Sequence, residues 1–376
     1  MDPTFYKLSG VTVESQSEAL HARAQAWVRA FERGETMPEA FDALACDLAR
    51  FQATFSAGYA RLCAAKNVQI ANISRAAEAP AVPTDAFKAT RVSVWPEAET
   101  KIAFRTSGTT VGARGVHWFR STGTYDAGAV AFGRSSLLPD APDRVPILVL
   151  GPPPEELADS SLGHMIARFV ERLGTPAPPE QTYFLRGGVF DLTALDERVV
   201  RLMYSNERRA LVLGTAFAYV HFLDALGDAS FRMPEGTRVM QTGGFKGKSR
   251  EVDAATLRRD VAKAFCVDAL SVVGEYGMTE LSSQFYEATL RGGEPGVYVE
   301  PPWARVVPVS PETLEPVADG EIGIARIEDL LNVDSAFAVV TADRVRRKGA
   351  GFELLGRTAG APPRGCSIAI DELVGR

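Results

Sequence analysis

Between residues 145 and 273, short apolar runs alternate with stretches of helical pattern, and this alternation constrains the fold more than any other feature of the chain. Val145 to Leu150 reads as a strand closed by Gly151-Pro152-Pro153-Pro154. Leu211 to Gly214 reads as a second, followed by a helix through Phe217, Val220 and His221 that ends near Leu226. Arg238 to Gln241 and Leu270 to Val273 are two more, with a helix from about Arg250 to Phe265 between them. Strands separated by helices pair through crossovers rather than hairpins. The pattern therefore predicts a layered α/β domain with at least part of its sheet parallel. His221, on an apolar helix, is expected in the core.

The flanks differ. Phe41, Leu44, Ala45, Leu48, Phe51 and Phe55 recur at helical steps, so residues 1–90 are read as a helical region packed on the main domain. Ala76 to Pro83 reads as a connector. After Gly296 helical patterns fade. Val297 to Glu300, Ala304 to Val309, Ile322 to Ile327, Phe337 to Thr341 and Phe352 to Leu355 read as short strands, predicting a β-rich subdomain over 296–376. That leaves 91–295 as the α/β core.

Composition narrows the classes of function. With 376 residues, 46% of them apolar, the chain can bury a large core and still hold a cleft. A net charge of -6 gives no positive field, so nucleic acid is not an expected partner. No apolar run approaches the roughly 18 residues of a membrane span. Met1-Asp2-Pro3-Thr4 lacks the basic-then-apolar order of a secretory leader. Cys46, Cys63, Cys266 and Cys366 are too scattered for a disulfide framework or a zinc site, so a reducing cytoplasm is expected.

Three segments bear chemistry. In Thr106-Ser107-Gly108-Thr109-Thr110-Val111-Gly112, hydroxyls and backbone N–H groups can donate to phosphate oxygens, although the same residues also make ordinary polar turns. Gly274-Glu275-Tyr276-Gly277-Met278-Thr279-Glu280 follows a strand, where open α/β sheets place ligands. There Tyr276 can stack on a base, Thr279 can bond a phosphate and Glu280 can hold Mg²⁺, or the segment is a turn whose Glu caps a helix. Thr242-Gly243-Gly244-Phe245-Lys246-Gly247-Lys248-Ser249 ends like a P-loop, but Thr242 stands where that motif needs its first Gly, so the P-loop reading fails. A double-glycine turn that lets a flat ring approach the backbone remains. Later, Asp343 and Arg357 are suited to a ribose, or are an ordinary turn Asp and surface Arg, and Cys366 follows Arg364 and Gly365, where a neighbouring Arg favours thiolate, although a single Cys is more often a small buried hydrophobe.

Thr106-Ser107-Gly108-Thr109-Thr110, then Tyr276-Gly277-Met278-Thr279-Glu280, then Asp343 with Gly356-Arg357 form an ordered set that resembles the adenylate-forming enzymes. Within that group the chain most resembles the acyl-protein synthetases of bacterial luminescence, the long-chain fatty acid–luciferin-component ligases. The likeness runs from about Phe41 to the end. It includes Ser160-Ser161-Leu162-Gly163-His164-Met165, Leu213-Gly214-Thr215-Ala216-Phe217, Thr242-Gly243-Gly244-Phe245-Lys246-Gly247 and Arg364-Gly365-Cys366-Ser367. Two departures are visible. Val111 stands where the group usually has Gly, and the loop Lys common among acyl-CoA synthetases is absent, Arg114 being the first basic residue after the loop.

The resemblance implies a fold and a chemistry. The fold is the large N-terminal domain of adenylate-forming enzymes, layered α/β sheets with a β-rich subdomain, the C-terminal domain absent or vestigial. The chemistry is ATP- and Mg²⁺-dependent activation of a carboxylic acid, a fatty acid above all, as its acyl-adenylate. Ser107, Gly108, Thr109 and Thr110 would hold phosphates; Gly243, Gly244, Tyr276 and Gly277 would hold adenine; Asp343 and Arg357 would hold ribose. Thr279 would contact the α-phosphate and Glu280 the metal. Phe217 and Phe245 would line the acyl pocket. Cys366 would take the acyl group and pass it to a protein partner, a reductase or a carrier protein. Two other functions fit the same motifs: ligation to coenzyme A or a carrier protein, and a nucleotide-binding scaffold without chemistry.

Overall fold

The computed structural model describes residues 12–106, 114–141, 144–205, 207–243, 253–357 and 364–374, except the side chains of 364–368. The chain divides into two compact units, one of residues 132–278 and 284–299, the other of 1–131, 279–283 and 300–376.

The first of these units is the expected α/β layer. Strands Ile147–Leu150, Leu211–Thr215, Arg238–Thr242 and Val272–Tyr276 lie side by side and parallel. Phe285–Glu287 and Val297–Val299 continue the sheet antiparallel. Helices Ser161–Leu173, Leu192–Tyr204, Ala216–Leu226 and Ala254–Ala264 make the crossovers. Several start on side-chain caps that satisfy otherwise orphan N–H groups: Ser160, Asp191, Thr215 and Asp253 each accept from a first-turn amide. Strands Ile147–Leu150 and Leu211–Thr215 are near-continuous apolar runs, as helix-covered parallel strands tend to be, and the burial of Ile147–Leu150 is complete along its length. Beneath the sheet, Phe222 and Phe265 stack with ring centroids 5.3 Å apart. Each buried side chain of this size contributes about 1.5–3 kcal/mol.

In the other unit, helices Val13–Arg33, Phe41–Phe55 and Ala57–Ala65 carry the N-terminal periodicity. Phe41, Leu44, Ala45, Leu48 and Phe51 are all buried, while Phe55 is half-buried at the last turn. Gln52 shares that buried face. Its Nε2 donates to the carbonyls of Asn332 and Val333, both at 2.9 Å, and its Oε1 accepts from the Phe337 N–H. A buried amide with every arm occupied pins a turn that apolar packing alone would leave free. Strands Ala304–Val309, Gly323–Asp329, Ala338–Lys348 and Gly351–Arg357 form an antiparallel meander. The Ala76–Pro83 connector is more ordered than a linker. Val82–Pro83 pairs in parallel with Val339 and Val340, and the buried Arg326 donates to the carbonyls of Ala76 and Ala79. Helix Arg364–Val374 packs its end on helix Ala57–Ala65, where Arg61 donates to the Leu373 carbonyl at 2.6 Å. Among the described residues, no helix is long and apolar enough to cross a membrane.

Candidate functional site

The Tyr276 motif begins inside a strand rather than after one. The sequence reading placed the strand at Leu270 to Val273; Ala269–Ser271 is a 3₁₀ turn and the strand is Val272–Tyr276. Alternation then sends Glu275 and Tyr276 to opposite faces. Tyr276 is buried, its ring centroid 5.8 Å from that of Phe285 and 6.2 Å from that of Tyr298. Glu275 is also buried. Its cross-strand partner is Thr242, whose hydroxyl donates to its carboxylate. Burial pushes the Glu275 carboxyl up to about 7, and the Thr242 hydrogen bond opposes the shift. Neither residue was a sequence candidate, although the period of two that aims Tyr276 one way aims Glu275 the other. Gly243 follows the Arg238–Thr242 strand at φ 79°, a left-handed conformation that favours glycine. Gly277 is exposed. Gly244 and Phe245 lie outside the described residues.

Thr279 and Glu280 form a turn held by its backbone. The Thr279 carbonyl lies 2.8 Å from His117 Nδ1. The Glu280 carbonyl accepts from Asn332 Nδ2 at 2.8 Å. Just beyond, the Ser282 N–H and the Ser283 hydroxyl donate to the two oxygens of Asp329, at 2.8 and 2.7 Å. Ser282 Oγ donates to Asn332 Oδ1, and Trp303 Nε1 donates to Ser283 Oγ. Burial raises the Asp329 carboxyl, and these donors oppose the rise. Glu280 is buried and Thr279 is half-buried.

Ser107, Gly108, Thr109 and Thr110 lie outside the described residues. Their segment joins the antiparallel strands Ile102–Arg105 and Val116–Phe119. The neck is closed by reciprocal bonds between Thr106 and Gly115, one backbone to backbone and one to the Thr106 hydroxyl, each 2.9 Å. His117, in the strand that follows this segment, is 1% exposed. Burial lowers its imidazole to about 4, so it is neutral at pH 7.

Asp343 and Arg357 are brought together. They face each other across the hairpin of Ala338–Lys348 and Gly351–Arg357, with Arg357 Nε 3.4 Å from Asp343 Oδ1. The strand break expected after Thr341 does not occur, and Asp343 sits within a long strand beside a register shift. Arg357 is 57% exposed, so its side chain is open to a ligand. Phe217 stands in the first turn of helix Ala216–Leu226, 38% exposed, its ring centroid 4.5 Å from that of His221. His221 was expected in the core and is exposed instead. The helix buries Ala216, Tyr219, Val220 and Phe222, which leaves His221 on the outer face. Cys366 falls in the first turn of helix Arg364–Val374.

This architecture is shared with solved ligases. The chain superposes on 2-hydroxyisobutyryl-CoA ligase, solved in its postadenylation state with 2-HIB-AMP, at TM-score 0.59 and 13% identity, covering 94% of this chain and 70% of that one. An open conformation of the same ligase, with 2-HIB-AMP and CoA, gives TM-score 0.55 over 94% and 77%. A looser match, TM-score 0.48 and 16% identity, is to ATP-bound MatB from Rhodopseudomonas palustris, with 68% of this chain and 47% of that chain covered. The two superpositions on 2-hydroxyisobutyryl-CoA ligase show that the fold is the α/β fold of the adenylate-forming enzymes. The family model for acyl-protein synthetase, LuxE, matches residues 29–374, and the chain belongs to that family. A curated relative, the long-chain-fatty-acid–luciferin-component ligase of Aliivibrio fischeri, is 24% identical over 155 residues, which is 38% of this chain and 40% of the relative. The chain thus matches less than half the length of that relative.

Proposed function

We propose that the protein activates a carboxylic acid, of the fatty-acid class, with ATP. A carboxylate oxygen attacks the α-phosphorus, the bond to the β-phosphate breaks, and pyrophosphate leaves with the negative charge. The acyl-adenylate is then attacked by the Cys366 thiolate. The carbonyl–oxygen bond to AMP breaks, AMP leaves, and a thioester remains on the chain. A nucleophile on a protein acceptor takes the acyl group and frees the thiolate. The observation that carries this reading is the family match over residues 29–374, which spans every motif in the ordered set.

The side chains have separable roles in this scheme. Thr279 bonds the α-phosphate. Tyr276 and Gly277 with Gly243 and Gly244 cradle adenine, and Asp343 and Arg357 take the ribose hydroxyls. Ser107, Gly108, Thr109 and Thr110 hold the outgoing phosphates, and Phe217 and Phe245 border the acyl chain. No group of three or more His, Cys, Asp or Glu suited to a metal occurs among the described residues. A single carboxylate at Glu280 suits Mg²⁺, which is commonly held by one or two carboxylates together with substrate phosphates. When bound, Mg²⁺ would neutralise charge on the phosphates. The protein's work is positioning and charge stabilisation.

Two measurements test the scheme. Pyrophosphate exchange into ATP, run with a panel of acids of graded chain length, reports adenylation; no exchange with any acid would end the proposal. Intact-protein mass after incubation with ATP, Mg²⁺ and the active acid reports self-acylation. Cys366→Ala is expected to keep exchange while losing the acyl mass increment, and an increment that persists would move the acceptor elsewhere.

A further inference from the structure

His117 does more than fill the core. A carbonyl oxygen has no proton, so the 2.8 Å contact with the Thr279 carbonyl requires the proton to sit on Nδ1. The ring is fixed against Phe119, 4.1 Å between centroids, and edge-on to Phe87, 5.7 Å between centroids. Asn332 treats the next residue the same way, donating to the Glu280 carbonyl and to that of Ala336. Two successive carbonyls, each met by a buried side-chain donor, leave the peptides on either side of Glu280 little freedom to rotate. A turn in a Gly-containing segment has no ladder of its own to provide that rigidity.

We propose that His117 is a positioning residue for adenylation: its Nδ1–H holds the Thr279 carbonyl so that Thr279 and Glu280 meet the nucleotide and its Mg²⁺ in one fixed orientation. The inference deepens the proposed function and rests on its reading of Thr279 and Glu280. Neutrality of the ring suits the role. A neutral imidazole bonds the carbonyl without placing a positive charge beside the carboxylate that is to hold a cation. Groups one step behind a metal-binding carboxylate fix its geometry, and removing such a partner costs about 10–100-fold in metal affinity or activity.

The test compares the full chain with His117→Leu, which has no donor, and His117→Asn, whose amide offers one close to the position of Nδ1. Pyrophosphate exchange is followed as a function of Mg²⁺ concentration. His117→Leu is expected to lose about 10–100-fold in exchange rate and to need more Mg²⁺ for half-saturation, with KM for the acid nearly unchanged. His117→Asn should recover most of both. A ring that serves only as core filler predicts the opposite: equal losses in the two variants and an unshifted Mg²⁺ requirement, and that result overturns the proposal. Imidazole ¹⁵N spectra of the ligand-free protein give a check that does not depend on activity. The chain has only four histidines, so the His117 signals follow by difference from His117→Asn. A neutral Nδ1–H tautomer at pH 7 is expected; an Nε2–H tautomer or a protonated ring overturns the proposal. Absence of exchange in the unsubstituted protein would instead remove the adenylation reading itself, and His117's part in it.

Discussion

Glu275 stands one position before Tyr276, and in a strand that single step sends its side chain through to the other face of the sheet. There it meets Thr242, and burial keeps its proton to about pH 7 against the pull of that hydrogen bond. The consequence for stability has a definite sign. In the unfolded chain Glu275 ionises near its ordinary value of 4.5, while in the folded chain it holds its proton to about 7. The contribution is full below pH 4.5, falls as pH rises through this window, and levels off above it, a loss of about 3 kcal/mol. Glu275→Gln, which has nothing to ionise, should flatten the pH 4.5–7 slope and exceed the parent in stability above pH 7. Urea unfolding across that range measures it; a parent whose stability rises from pH 4.5 to 7 on account of this residue would contradict the assignment. Thr279 and Glu280 were legible as chemistry from their types and order. Their supports, His117, Asn332 and Asp329, were not, because they lie far away in sequence and each is unremarkable in its own neighbourhood.

At the scale of elements, alternation of strand and helix predicted the parallel layer well, and the boundaries moved by two or three residues where local chemistry intervened. Asp268 caps a 3₁₀ turn over Ala269–Ser271, which delays the strand and draws Glu275 and Tyr276 into it. The last strands are longer than their apolar runs. Ala338–Lys348 continues through Asp343 and Arg346 because cross-strand pairing with Gly351–Arg357, not burial, sustains it. Packing between helices supplies a prediction of its own. A Cβ added to Gly133 would run into the Phe169 ring, lying 2.9 Å from its Cε1. Alanine gains about 1 kcal/mol over glycine in helix propensity, yet a rigid aromatic ring inside a packed layer gives way poorly, and overpacking costs about 1–3 kcal/mol. Gly133→Ala should therefore lower the denaturation midpoint. A rise would mean that the ring shifts freely and propensity wins.

For the whole molecule, a ligand that binds only the folded chain must stabilise it. MgATP at 100 times its Kd should add about 2.7 kcal/mol and raise the thermal midpoint in a concentration-dependent way. Glu280→Gln, similar in shape but without the charge, should reduce the increment from MgATP more than that from ATP given with a chelator. Equal increments in the variant and the parent would remove Glu280 from metal binding. Fold class was determined by the sequence alone, because periodicity, capping and turn chemistry act over a few residues and leave local marks; the family was legible there too, through the resemblance of its ordered motifs. Which donor holds the Thr279 carbonyl, why Glu275 keeps its proton, and that Asp343 faces Arg357 were decided only by the tertiary structure. Those are contacts between residues far apart along the chain, and a low-dielectric interior exists only once the chain has closed around it.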